Sequence, residues 1–304
     1  MNTKFLITAD SNRSALLKKK IIHYYIANGD ATIAELCKEM DLSIPTVTKL
    51  VGELLDDGYI LDFGKQETNG GRKPNIYGLN PVSGYFVGVD VFRSKINIAA
   101  VDFKGDKLRV EENIPYSLEN TPEALEMLCN LINDFIDRLS VPREKVLAVG
   151  VNISGRVNPV SGYSYSIFYF EEKPLSQILE ERIKIKIYIE NDTRAMMYGE
   201  YMQGVVKGEK NILFINMGWG LGLSIFINGE LYYGKSGFSG EFGHFCFFDN
   251  EILCHCGKKG CIETEASGSA LHRKLLERYR EGSSTILAEK IEKKEKIKMA
   301  DMIE

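Results

Sequence analysis

Residues 234–268 read GKSGFSGEFGHFCFFDNEILCHCGKKGCIETEASG, and this stretch decides what kind of chain this is. Of the 6 cysteines, Cys37 and Cys129 stand alone, whereas Cys246, Cys254, Cys256 and Cys261 crowd together here. Such crowding outside a small secreted scaffold favours metal over disulfides. His244, Cys254, Cys256 and Cys261 offer one imidazole and three thiolates, a soft donor set that fits a closed tetrahedral structural zinc site. Gly257 and Gly260 permit the sharp backbone path that closely spaced cysteines need to converge. His255 competes with His244 as the nitrogen ligand, but its place between two cysteines turns it away. Cys246 reads as a spare thiol on a predicted strand, buried rather than liganded. The competing reading, a free-thiol loop or a disulfide, is the weaker one.

Upstream of this stretch, from Tyr85, the pattern is α/β. The run FVGVDV (86–91) is a buried strand ending on an aspartate, followed by strands over 96–103 and 108–114. Thr121-Pro122 opens a long helix to about Leu139, residues 146–153 form a strand, and a helix covers 175–182. A strand at 185–189 leads to Asn191-Asp192 and another helix, and the strand series restarts at Asn211. Two successive lobes, each built on a sheet, account for this order. Ligands in open α/β sheets bind at strand C-terminal ends, which marks Asp90, Asn152, Asn191-Asp192 and the turn at Gly218.

The first 80 residues follow a different pattern. Leu16, Leu17, Ile21, Tyr24 and Tyr25 recur at helical spacing and stop at Asn28-Gly29. Thr32 and Glu35 make a capping box for a second helix. A third begins after Ser43, buries Val47, Leu50, Val51, Leu54 and Leu55, and closes at Gly58. Residues 59–61 and 76–79 then read as a β-hairpin with a long polar tip. Three short helices and a hairpin are the pattern of a winged helix-turn-helix. Ser43, Thr46, Thr48 and Lys49 face outward on helix three and suit phosphates and base edges, while Arg72 and Lys73 at the hairpin tip reach backbone or minor groove. Against DNA binding, this segment holds 10 Lys+Arg and 10 Asp+Glu, so its net charge is zero. A plain three-helix domain with a solvated polar face is the alternative.

Composition sets the outer limits. At 304 residues with 44% hydrophobic and 26% charged residues, the chain is globular rather than disordered. No apolar run approaches the roughly 20 residues of a membrane span. The N-terminus lacks the zones of a secretory signal, so the expected location is the cytoplasm. A net charge of −4 excludes a whole-protein basic field.

The E-x-G-H element at 241–244, the C-x-C-G-x-x-G-C cluster at 254–261 and Glu263 after it together resemble the ROK family of sugar kinases and repressors. The resemblance covers essentially the whole chain. It implies an α/β, two-lobe actin-like or ribonuclease-H-like domain. The family's repressor branch places an α+β winged helix-turn-helix before that domain. The expected domains are 1–80 for DNA binding and 81–304 for sugar binding. By this resemblance Asn191 and Asp192 match the motif that holds the sugar, and Asp192 matches the general base of the kinases. Glu241, His244 and Glu263 match the other sugar contacts, and His244 would bond zinc through one nitrogen and a hydroxyl through the other.

Three departures from the family shape the functional expectation. After the first strand the kinases have D-x-G-G-T, where this chain has Asp90-Val91-Phe92-Arg93-Ser94. The second phosphate turn, usually G-T-G, is Gly218-Trp219-Gly220. Phosphate cradles need bare backbone amides and small side chains, so MgATP is not expected. The sugar loop, often P-N-L-x-G-W, corresponds to 166–170, with Ile167 at the asparagine. The second lobe also reads as short at the C-terminus, through truncation of the chain or a naturally short lobe. The expectation is a sugar-responsive transcriptional regulator, a repressor, with structural zinc. Operator DNA and a monosaccharide or derivative are its partners, it forms a homodimer or higher homo-oligomer, and no membrane is involved. The alternative is an ATP-dependent sugar kinase using Asp192, and a third reading is a repressor head on a domain that has lost ligands.

Overall fold

The computed structural model describes residues 12–65 and 74–303. Arg72 and Lys73 lie outside the described residues. The chain forms two compact units, 1–190 and 191–304. Among the described residues no helix is long and apolar enough to cross a membrane.

The first unit opens with three helices, α1 (Arg13–Asn28), α2 (Ile33–Met40) and α3 (Ile44–Asp56). Each boundary has a local cause. Asn12 caps α1 by accepting from the Ala15 amide, and Gly29 ends it at φ +79°. The Thr32–Glu35 capping box opens α2, as its sequence predicts. Between α1 and α2 lies the short strand β1 (Ala31–Thr32), which pairs with β3 (Asn75–Leu79), and β3 pairs with β2 (Ile60–Lys65). This is a winged helix-turn-helix. Ile21, Leu36, Val47, Leu54 and Tyr59, none more than 0% exposed, form its core.

β4 (Tyr85–Val91), β5 (Lys95–Asp102), β6 (Lys107–Pro115), β7 (Val146–Ile153) and β10 (Ile187–Asn191) form one sheet in the order β10-β7-β4-β5-β6. β4 and β7 are parallel, and the long helix α4 (Pro122–Asp137) lies in the chain between them. Val87, Val89 and Val91 alternate onto one face and bury against α4 and α5 (Leu175–Ile183). The small hairpin of β8 (Val157–Asn158) and β9 (Tyr163–Ser164) precedes α5. On the other face Phe86 stacks on Phe103 with ring centroids 6.1 Å apart, and Phe103 meets Tyr59 at 5.5 Å. Phe103 and Leu147 thus join the winged-helix core, so head and sheet share buried surface.

The second unit contains α6 (Asp192–Gln203), a three-stranded antiparallel sheet and a long loop. The strands are β11 (Ile212–Met217), β12 (Leu221–Ile227) and β13 (Glu230–Leu231). α6 packs on this sheet, with Tyr201 against Phe226 at 4.4 Å between ring centroids. The loop 232–267 follows, then α7 (Gly268–Arg280), α8 (Ala288–Glu292) and α9 (Met299–Ile303).

Candidate sugar and metal site

The Asn191-Asp192 pair stands at the start of α6, and the structure divides its labour. Asn191 is the helix cap, its Oδ1 accepting from the Arg194 amide at 3.1 Å. Asp192 is the first helical residue and not the cap. Asp192 Oδ1 accepts from Asn191 Nδ2 at 2.9 Å, from the Thr193 amide at 2.7 Å and from the Thr193 hydroxyl at 3.4 Å. Among the described residues, these hydrogen bonds to the carboxylate all end on Oδ1. Burial raises its pKa above the ordinary aspartate value, although those bonds pull the other way.

Two neighbours that sequence reasoning passed over hold this pair. Thr193, itself buried, also accepts from Asn216 Nδ2 at 3.1 Å, which ties α6 to β11. Arg194 is 3% exposed, donates to the Gly237 carbonyl at 3.0 Å and sits 5.2 Å from the Tyr233 ring centre. A charged side chain buried in this way needs such partners, and here they anchor the long loop to α6. No spacing rule signals a contact between residues 194 and 237.

The loop then presses onto β12 through glycines. A Cβ on Gly240 or Gly243 would strike the carbonyl oxygens of Leu223 and Leu221, and Gly240 has φ +86°. Glu241 follows, with Oε2 3.9 Å from His244 Nε2. On the opposite side of that imidazole, Nδ1 lies 3.5 Å from Cys254 Sγ. Glu263 is 8% exposed. Its Oε2 accepts from the Leu221 amide at 2.8 Å, and Oε1 lies 3.0 Å from His255 Nδ1. Burial pushes the Glu263 carboxyl up, but the bonds from His255 and Leu221 prevail and hold it below the ordinary value.

His244, Cys254, Cys256 and Cys261 converge, their donor atoms all lying within 4.8 Å of one another. Cys256 and Cys261 sulfurs are 3.7 Å apart, and Cys254 Sγ is 3.5 Å from the imidazole nitrogen. A tetrahedral zinc with Zn–S of about 2.3 Å and Zn–N of about 2.0 Å places its sulfurs about 3.8 Å apart and sulfur and nitrogen about 3.5 Å apart. The residues therefore fit the ion. His255 is outside this group of four and joins His244 and Glu263 in a second cluster. Cys246, expected to be buried, is exposed. It lies on an isolated bridge opposite Cys261, outside any named strand.

Of the two turns expected to miss phosphate, the first is bonded within itself and the second to the start of α7. The Phe92 amide donates to the Lys95 carbonyl at 2.9 Å, and the Lys95 ammonium sits 5.1 Å from the Phe92 ring centre. In the second unit, the first amides of α7, at Gly268 and Ser269, donate to the Gly218 and Trp219 carbonyls, each at 2.9 Å. Trp219 leans on His272 with ring centroids 5.4 Å apart. In the loop 166–170, Ser166 Oγ accepts from the Arg156 amide at 3.0 Å, and Phe168 is buried with φ +57°.

On the head, Ser43, Thr46, Thr48 and Lys49 are all exposed, with Ser43 and Thr46 hydroxyls 2.8 Å apart. Lys49 is within 3.9 Å of Glu53 but keeps 78% of its side chain exposed. Lys18 is turned inward onto Glu53 at 2.7 Å.

Comparison with known proteins bears on both units. The profile of the ROK family matches residues 86–304, and one described as winged helix-turn-helix DNA-binding matches 16–60. The xylose repressor of Bacillus subtilis (strain 168) is 29% identical over 85% of this chain and 67% of its own length. A solved ROK family transcriptional regulator, a homologue of the E. coli MLC protein, superposes with TM-score 0.73 at 24% identity, over 94% of this chain and 72% of that one. A ROK family glucokinase from Streptomyces griseus, solved with glucose and AMPPNP, superposes with TM-score 0.57 at 30% identity, over 66% of this chain and 62% of that one. The chain spans about two thirds of the length of the curated relatives it matches.

Proposed function

Since the chain belongs to the ROK family, we propose that it is a sugar-responsive transcriptional repressor working in the cytoplasm. Residues 1–80 bind operator DNA and residues 81–304 bind a monosaccharide or derivative. One observation carries this reading: a winged-helix head is joined to a domain whose half-buried Asp192 accepts its bonds on Oδ1. Oδ2 is then the acceptor for a sugar hydroxyl, with Asn191, Glu241, His244 and Glu263 taking neighbouring hydroxyls.

His244, Cys254, Cys256 and Cys261 hold a structural zinc. The ion supplies a closed four-ligand crosslink, with no open position for chemistry. His244 would hold it through Nδ1, the nitrogen 3.5 Å from Cys254 Sγ, and would keep Nε2, 3.9 Å from Glu241 Oε2, for a sugar hydroxyl. Ser43, Thr46, Thr48 and Lys49 meet DNA together with Arg72 and Lys73, and a homodimer supplies the two heads for paired half-sites. Sugar releases DNA only through unequal affinity for two arrangements of the protein.

The kinase reading draws on Asp192 as the base. Against it, both phosphate turns carry bulky side chains, Phe92-Arg93 and Trp219, where a phosphate cradle needs small residues and bare amides. A thermal-shift screen of pentoses, hexoses and amino sugars, with and without MgATP, separates the readings. One sugar should stabilise the protein without ATP and release it from operator DNA. Asp192→Asn should weaken that sugar at least tenfold and leave sugar-free DNA affinity unchanged. Sustained ADP formation that depends on the sugar and vanishes in Asp192→Asn would establish the kinase instead. Lys49→Ala should reduce the salt slope of operator binding by about one unit, the signature of one lost phosphate contact.

A further inference from the structure

Cys246 has no part in the four-donor cluster, yet it stands directly across an antiparallel bridge from Cys261, one of its members. The flanking bonds run from the Phe247 amide to the Gly260 carbonyl at 2.8 Å and from the Ile262 amide to the Phe245 carbonyl at 3.0 Å. That arrangement makes Cys246 and Cys261 a non-hydrogen-bonded pair, whose Cα atoms lie about 4.5 Å apart with side chains on the same side. Disulfides span Cα separations of about 4.4–6.8 Å, so the pair can be bridged without moving the backbone far. Exposure divides the two thiols. Cys246 is open to solvent, whereas Cys261 is 0% exposed.

We propose that Cys246 and Cys261 form a peroxide-driven disulfide that takes one thiolate away from the metal cluster. The oxidant is hydrogen peroxide or an organic hydroperoxide. It is reduced as its O–O bond breaks, and the exposed Cys246 thiol becomes a sulfenic acid with release of water or alcohol. The Cys261 thiolate then attacks the Cys246 sulfur, the S–S bond forms, the S–O bond breaks, and hydroxide leaves. Two sulfurs have given up two electrons, and His244, Cys254 and Cys256 remain as three donors. The Glu241–His244 segment, which ends two residues before Cys246, then loses its closed crosslink. Oxidation thereby reaches the sugar site through a residue that contacts neither sugar nor metal. The loss of a ligand rests on the zinc reading above, but the disulfide itself requires no metal.

The test uses the full chain, reduced and freshly purified, with its zinc content measured first. Hydrogen peroxide is added in modest excess, free thiols are counted by alkylation, crosslinks are mapped by peptide mass, and released zinc is read with a chromogenic chelator. The expected product is a Cys246–Cys261 crosslink with two thiols lost, reversed by a thiol reductant. Zinc should leave the wild type at least tenfold faster than Cys246→Ser. A Cys256–Cys261 crosslink, a Cys246–Cys246 crosslink between chains, or equal zinc release from the variant overturns the proposal. Fresh protein that carries no zinc but forms the Cys246–Cys261 crosslink upholds the disulfide and refutes the zinc reading alone.

Discussion

The winged-helix head and the loop from Glu241 to Glu263 are held by different forces. The head closes on Ile21, Leu36, Leu54 and Tyr59, all fully buried, and its caps only trim the ends. The loop exposes 60% of Phe245, 69% of Phe247 and 67% of Leu253. It is held instead by the Glu263–Leu221 bond, by glycines pressed on β12 and by the thiol–imidazole cluster. Burial spreads stability over many small contacts, whereas a crosslinked loop concentrates it in a few donors. Damage to one region should therefore be graded and damage to the other abrupt.

The largest expected effect tests the abrupt side. Cys256→Ser, or a strong chelator, should strip the metal and abolish sugar binding while DNA binding by the head persists. Structural zinc sites in small domains carry apparent binding free energies of about 10–16 kcal/mol, far more than any single apolar contact. Elemental analysis, sugar titration and operator gel shifts read the three outcomes, and a variant with full zinc and full sugar affinity breaks the contrast.

A smaller effect tests the graded side. Leu54→Ala removes a fully buried side chain and should cost about 2–5 kcal/mol. Its denaturant midpoint for the head should fall, with zinc content unchanged. Loss of zinc on this substitution would show that the two regions are not independently held.

The smallest effect lies at the α2 cap. Thr32→Ala should cost about 1 kcal/mol. The partner Glu35 carboxyl is held below its ordinary value by bonds from the Thr32 backbone amide and hydroxyl. Its contribution is thus present above the unfolded carboxylate value and is lost as pH falls through the lower folded one. The stability gap between wild type and Glu35→Gln should be constant near neutral pH and close in acid. Equilibrium denaturation at several pH values measures it, and a gap that widens in acid would contradict the capping box.

Much of this was legible without coordinates. The Thr32–Glu35 box, Gly29 as a stop and the strand at 146–153 follow from periods and caps that act within a few residues. The Cys254–Cys261 spacing announced convergence because so short a loop leaves its thiols little room to separate. Burial is less legible in sequence, and Cys246 is the instance. Alternation along a strand places a side chain on a face, but not whether anything covers that face. Thr193 and Arg194 were silent for a related reason, since their partners Asn216 and Gly237 are set by how α6 lies on its sheet.

What the sequence alone determined, then, is the identity and order of the elements and the chemistry of the donors. Residues three or four apart on a helix, or two apart on a strand, meet whatever the rest of the chain does. Only the tertiary structure decided that Thr193 meets Asn216 and Arg194 meets Gly237, and that His244 turns Nδ1 to sulfur and Nε2 to Glu241. It also decided that Glu263 secures the Leu221 amide and that Cys246 faces Cys261 in the open. Each of these depends on which of several competent partners a polar atom meets. That choice is made by packing between segments, where a buried donor or acceptor without a partner costs about 1–3 kcal/mol.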